Sequence, residues 1–191
     1  MDNQLVIFAK NPVLGKVKTR LAATVGNEKA LEVYKELLSY TCNISCKVNA
    51  EKTVFYSDII EESDLWDKAG FNQAIQLGEN LGQRMFTALK NTLKDNKVVI
   101  IGTDCKELTS DIVDQAFKAL DFVDVVIGPA LDGGYYLIGM KSLEENLFTD
   151  IPWSTSGVLE QTVSKMNKNQ LSFLLLKTLS DIDTEEDLNR S

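Results

Sequence analysis

Short apolar runs, separated by stretches of helical period, constrain this chain more than any other feature. Val98-Val99-Ile100-Ile101 sets four branched apolar residues in a row. Such a run suits a strand covered on both faces, as in a parallel sheet, better than one with a wet side. Segments 4–9, 52–57, 73–77, 125–128 and 173–176 read as further strands. Between them, apolar residues recur at helical spacing. Leu31, Val33, Tyr34, Leu37 and Leu38 predict a helix over Asn27–Tyr40 with Asn27 as its cap. Leu81, Met85, Phe86, Leu89 and Leu93 mark a second face, Val113, Ala116, Phe117 and Leu120 a third, and Leu159, Val163 and Met166 a fourth. Thr184-Glu185-Glu186-Asp187 is a capping-box pattern that opens a short last helix. Tyr135–Met140, after the turn Asp132-Gly133-Gly134, adds a strand that can run antiparallel. The alternation predicts an α/β fold around a mostly parallel sheet. No linker, repeat or low-complexity tract divides it, so 1–191 reads as one domain.

The chemistry is bounded by what is missing. The 191 residues include no His. Ser-His-Asp and Cys-His catalysis, His-ligated zinc and an imidazole base are therefore excluded. With 20 Lys+Arg against 28 Asp+Glu the net charge is −8, which argues against a nucleic acid polymer or an anionic membrane as partner. Met1-Asp2-Asn3-Gln4 is not a basic leader, and no apolar run approaches the roughly 18 residues of a membrane span. Cys42, Cys46 and Cys105 read as reduced thiols of a cytoplasmic protein.

Against this acidic background, no acidic residue lies between Asn3 and Asn27, whereas Lys10, Lys16, Lys18 and Arg20 do. A basic island at the end of the first strand suggests a site for a small anion such as a phosphate. It is neither a Walker A loop nor a Rossmann glycine fingerprint, because Gly15-Lys16 is followed by Val17. Ligands of open α/β sheets bind beyond the carboxyl ends of strands. Three other strand ends carry candidates. Asp104 follows the Val98 strand, where it is either a ligand for a hard cation or a helix cap. Asp132-Gly133-Gly134 follows the Val125 strand, where the glycines either admit a ligand or make a plain hairpin turn. Asp181 and Asp183 follow the last strand and share a face in extended chain, unless Asp183 only precedes the Thr184 cap.

The segments VIFAKNPVLGKVKTRLA, LGENLGQRM, IIGTDCKELT, GPALDGGYYLIG, IPWSTSGVL and LSDIDTEEDL occur in this order. Together they resemble a bacterial family of formerly unknown function related to nucleotide-diphosphate-sugar transferases. Some of its members are assigned to arsenosugar biosynthesis as glycosyltransferases, and its wider relatives include the molybdenum cofactor and phospholactate guanylyltransferases. The resemblance implies the glycosyltransferase-A fold, a Rossmann-like α/β/α sandwich. It implies that Lys10, Lys16, Lys18 and Arg20 hold nucleotide phosphates, with Gly78 and Arg84 near the base or sugar. Asp104 and Asp183 would hold Mg2+ or Mn2+. Asp132, Gly133 and Gly134 would face the transferred sugar or the acceptor, and Trp153 and Thr155 would line the acceptor pocket. Lys106 stands where the family usually has Pro, and Asn80 where it often has Asp.

The resemblance implies a metal-dependent glycosyltransferase, with a nucleotide sugar and a small-molecule acceptor as partners. Lys16 would stabilise the leaving diphosphate and Asp132 would take the acceptor proton. A nucleotidyl transfer from a nucleoside triphosphate to a small phosphorylated acceptor is the alternative, in which positioning and charge neutralisation dominate. Lys106, a cation beside Asp104, keeps a third reading in view: a non-catalytic nucleotide-binding protein on the same scaffold.

Overall fold

The apolar runs assemble side by side in a computed structural model that describes residues 2–190. Seven strands form one sheet: β1 (Asn3–Ala9), β2 (Glu51–Tyr56), β3 (Asn72–Ile75), β4 (Lys97–Ile101), β5 (Val125–Pro129), β6 (Tyr135–Met140) and β7 (Phe173–Leu175). Their order is β3-β2-β1-β4-β6-β5-β7. β6 runs antiparallel to β4 and β5, and the remaining pairings are parallel. The α/β class and the antiparallel element after the 132–134 turn are both present as expected.

Alternate residues of the central strands enter opposite layers, which is why their sequences are apolar without interruption. Leu5, Ile7, Val99, Ile101 and Val126 pack with Tyr34, Leu38, Trp66, Val113 and Phe117. These come from α2 (Asn27–Lys47), α3 (Leu65–Lys68) and α5 (Ser110–Ala119). Val6, Val98, Ile100, Val125 and Ile127 pack on the other side with Met85, Leu89 and Met166. Those belong to α4 (Leu81–Thr92) and α6 (Val158–Lys168). Each such side chain contributes about 1.5–3 kcal/mol by leaving water. Among the described residues, no helix is long and apolar enough to cross a membrane, and the three cysteines are free.

The structure corrects several local expectations. α2 continues past Tyr40 to Lys47, because Thr41, Cys42, Ile44 and Ser45 prolong its buried face, with Ile44 the one strongly apolar side chain among them. Asn27 is the first helical residue and not the cap; Gly26 holds that position with no side-chain cap bond. The basic island does not run straight on into α2, since α1 (Thr19–Val25) starts at its end and buries Leu21. α3 has a cap the sequence reading missed: Asp64 accepts from the Trp66 and Asp67 amides. The expected capping box of α7 (Glu185–Arg190) forms reciprocally. The Thr184 amide donates to Asp187 Oδ2 at 2.9 Å, and the Asp187 amide donates to Thr184 Oγ1 at 3.3 Å.

The strand order also positions the site. From β1 the chain builds outward through β2 and β3 on one side, then crosses to β4 on the other. The crevice of such a sheet opens between those two directions, beyond the carboxyl ends of β1 and β4. Because β6 runs the other way, the hairpin between β5 and β6 reaches the same edge.

Candidate active site at the carboxyl edge of the sheet

The basic loop leaves β1 on a rigid root. The Tyr34 hydroxyl accepts from the Lys10 amide at 2.8 Å and donates to the Lys10 carbonyl at 3.1 Å. Asn11 is buried, and its amide donates to Ile59 O at 2.9 Å and Glu61 Oε1 at 3.0 Å. Its Oδ1 accepts from the Asp58 and Ile59 amides. Gln76 Nε2 donates to the last carbonyl of β1, on Ala9, and to Phe55 O in β2. Tyr34, Asn11 and Gln76 were not singled out from sequence. The one trace of Tyr34 was a polar tip on a core-facing helix position. On this root Lys10, Lys16 and Arg20 are exposed, while Lys18 turns inward.

Backbone pairing brings the two candidate metal ligands together from far apart in the chain. Leu179 N donates to Pro129 O, and Leu131 N to Leu179 O, both at 3.0 Å. Three residues on, Ile182 N donates to Asp104 O at 2.9 Å. The segment after β7 is thereby laid across the ends of β5 and β4. Asp104 and Asp183 then share one cation: Lys18 Nζ lies 2.6 Å from Asp104 Oδ1 and 3.0 Å from Asp183 Oδ1. Arg20 approaches the other Asp183 oxygen at 3.7 Å. The Lys18 side chain is only 4% exposed, against 70% for Arg20. Burial pulls the Lys18 ammonium down, but Asp104 and Asp183 outweigh it and hold its pKa above lysine's usual value. Lys18, expected on phosphates, is thus found on the aspartates. Lys106 is exposed, and the cation that reaches Asp104 is Lys18.

Asp181 lies beside this pair. Its Oδ1 is buried with no hydrogen-bond partner. Burial, then the charges of Asp104 and Asp132, push its carboxyl up to about 7. These features register an excess of negative charge at the mouth, which a divalent cation would match. Among the described residues no three acidic or thiol side chains converge as a metal cage. Asp104 and Asp183 nevertheless fit a Mg2+-type ion, which commonly takes one or two carboxylates together with phosphate and water.

Gly78, Arg84 and Trp153 gather around the start of α4, and Asp132, Gly133, Gly134 and Thr155 lie on the β5–β6 turn and the segment packed on it. Arg84 Nε donates to Gly78 O at 3.1 Å, so it buttresses the Gly78 turn. Asn80 caps α4 by accepting from Gln83 N at 3.0 Å, a task that an Asp there would perform equally. Trp153 covers Gly82 so closely that a Cβ there would lie 2.3 Å from its Nε1. It also meets Tyr135 edge-on with ring centroids 6.4 Å apart. Gly133 has φ 90°, and a Cβ on it would come 2.1 Å from Ser156 O. The close approach at Gly133 is therefore to the chain's own 155–159 segment, whose Leu159 amide donates to Gly133 O. Asp132 is exposed, with Oδ1 accepting from the Gly134 amide at 2.9 Å. The Thr155 hydroxyl donates to Pro152 O at 2.8 Å. Two clefts of about 300 and 660 Å3 lie elsewhere, beside Cys46 and Phe71 and beside Asn146 and Lys165, and hold none of the candidates.

A bacterial family described as an uncharacterized protein conserved in bacteria, DUF2064, matches residues 42–155. The chain belongs to the DUF2064 family. Among solved structures, this DUF2064 chain is similar to a Desulfovibrio desulfuricans G20 protein assigned to the nucleotide-diphospho-sugar transferases. The two are 34% identical with a TM-score of 0.89, covering 98% of this chain and 84% of that one. A cytidylyltransferase from Leptospira borgpetersenii serovar Hardjo-bovis shares the fold at 18% identity and TM-score 0.63, covering 98% and 84%. So does the inositol-1-phosphate CTP transferase from T. maritima, at 14% identity and TM-score 0.62, covering 97% and 91%. No curated protein matches the sequence. The DUF2064 chain has the nucleotide-diphospho-sugar transferase-like fold, and these likenesses support the expectation of a transferase.

Proposed function

We propose that this DUF2064 protein transfers a glycosyl group from a nucleotide-diphosphate sugar to a small acceptor, using Mg2+ or Mn2+ at Asp104 and Asp183. One observation carries the reading. The basic loop after β1 and the paired aspartates meet through Lys18, so anion-binding and cation-binding groups stand side by side at the crevice of the sheet. A departing nucleoside diphosphate needs that combination, because its charge rises as the glycosidic bond breaks. Exposed Lys10, Lys16 and Arg20 bind the diphosphate and orient it, and the fixed root at Tyr34 and Asn11 keeps the loop from reorganising. The ion, when bound, supplies Lewis-acid stabilisation of the phosphate oxygens. Gly78, buttressed by Arg84, takes the base or sugar side. Gly133, Gly134, Trp153 and Thr155 wall the acceptor side, and Asp132 takes the acceptor hydroxyl proton. The likeness to the Desulfovibrio protein supports this choice of donor.

A nucleotidyl transfer is favoured by one detail. Asp132 Oδ1 is engaged by the Gly134 amide, and a phosphate nucleophile has no need of a base. Product analysis separates the two. Incubation with nucleotide sugars and Mn2+ is expected to release nucleoside diphosphate, and Asp104→Asn or Asp183→Asn to lower kcat roughly 10²–10³-fold. Pyrophosphate released from a triphosphate with a phosphorylated acceptor would transfer the assignment to the second reading. Tight nucleotide binding with no turnover of either kind would leave only the non-catalytic protein.

A further inference from the structure

The Lys18 ammonium occupies the place where the proposed ion must sit. One Nζ holds both Asp104 Oδ1 and Asp183 Oδ1, at 2.6 and 3.0 Å. The backbone is built to put it there. Lys18 has φ 47° and ψ 44°, a left-handed conformation that lysine adopts only at a cost. That turn aims its side chain into the protein while Lys16 and Arg20 on either side stay exposed. A divalent ion at the same two carboxylates would stand within a few ångströms of this ammonium, and like charges that close repel strongly where little water intervenes. Lys18 has somewhere to go, because its flexible four-carbon stem leaves from the loop proposed to hold phosphates.

We propose that Lys18 is a resident cation of the paired-aspartate site, exchanged for the divalent metal when a nucleotide phosphate arrives to receive the freed ammonium. The proposal rests on the functional reading above and adds a coupling to it. Metal takes the aspartates as phosphate takes Lys18, so each ligand strengthens binding of the other by the same factor. Without nucleotide, metal competes with an internal partner that is always present, and the site stays charge-balanced and closed to stray cations.

The test is Mn2+ affinity without nucleotide, read from loss of the free Mn2+ electron paramagnetic resonance signal. Wild type is compared with Lys18→Met and Lys18→Gln. Lys18→Gln keeps a hydrogen-bonding head, so it serves if the Met variant fails to fold. Both variants are expected to bind Mn2+ at least roughly tenfold more tightly than wild type, since the competing charge is gone. Adding a non-hydrolysable nucleotide should tighten Mn2+ binding to wild type much more than to either variant. Equal or weaker Mn2+ binding by both folded variants, with a wild type that still turns over its donor with metal, would overturn the exchange and leave the functional reading intact. Silence toward Mn2+ in all three proteins, with and without nucleotide, would remove both the exchange and the metal-dependent reading.

Discussion

Three thiols that look alike in the sequence differ sharply in their surroundings. Burial pushes the Cys42 thiol up to about 12, helped by neighbouring Cys46, and burial pushes Cys105 to about 12, helped by Asp181. Both stay protonated and unreactive at ordinary pH, whereas Cys46 is exposed. Iodoacetamide at pH 8 should therefore alkylate Cys46 alone in native protein and all three in urea, as peptide mass spectrometry would show. Rapid native labelling of Cys105 would mean that the strand mouth opens. Individual side chains of the site were legible where their placement was costly without a purpose. Asp104, an acid at the mouth of a buried strand, could be picked out on that ground, whereas Asp183 was marked as a metal ligand only by the family resemblance. Lys18 could not, because nothing in Lys-x-Lys-x-Arg says which cation turns inward. That depends on one left-handed residue, and lysine does not advertise it.

Among the elements, the β5–β6 hairpin and the β7 edge each depend on a local device. Gly133→Ala would force a Cβ onto the Ser156 carbonyl at a residue with φ 90°. The cost should be roughly 2–4 kcal/mol, seen as a lower urea midpoint. An unchanged midpoint would show that the 155–159 segment yields freely. At the other end of β5, Asp124 accepts from the Ser172 amide at 2.9 Å and from its hydroxyl at 2.6 Å. These bonds hold its carboxyl below the usual range. A depressed carboxylate contributes stability above its unfolded pKa and loses it as pH falls through the folded one. Amide exchange in β7 should therefore quicken, relative to β4, below about pH 4, and Asp124→Asn should abolish that difference. The strands were readable because a sheet covered on both sides demands unbroken apolar runs. α1 was hidden because it is short and starts at the end of the basic island, and the end of α2 was hidden because Thr41, Cys42 and Ser45 share its inner face with Ile44 alone.

For the whole molecule, the sharpest expectation concerns ligand-linked stability. A nucleotide sugar with Mn2+ at about a hundred times its Kd adds about 2.7 kcal/mol. For a protein of this size that is a Tm rise of roughly 5–10 °C in a thermal-shift panel. The rise should shrink with added salt, because a basic island on a chain of net charge −8 attracts its anion through screened charges. No shift with any nucleotide sugar or triphosphate would remove nucleotide binding altogether. The α/β class could be read from the alternation of elements, but the strand order could not, since local patterns do not say which strands become neighbours. That order decides where the crevice lies. The backbone bond from Ile182 to Asp104 has a consequence for the protein's life history. Lys18 and Asp183 are 165 residues apart in sequence. On the proposed reading, a growing chain can complete all seven strands and most of its interior while remaining inert, and it gains its chemistry only when the stretch from 176 to 184 docks. On that reading, a single proteolytic nick near Lys177 is expected to abolish turnover while leaving the sheet assembled.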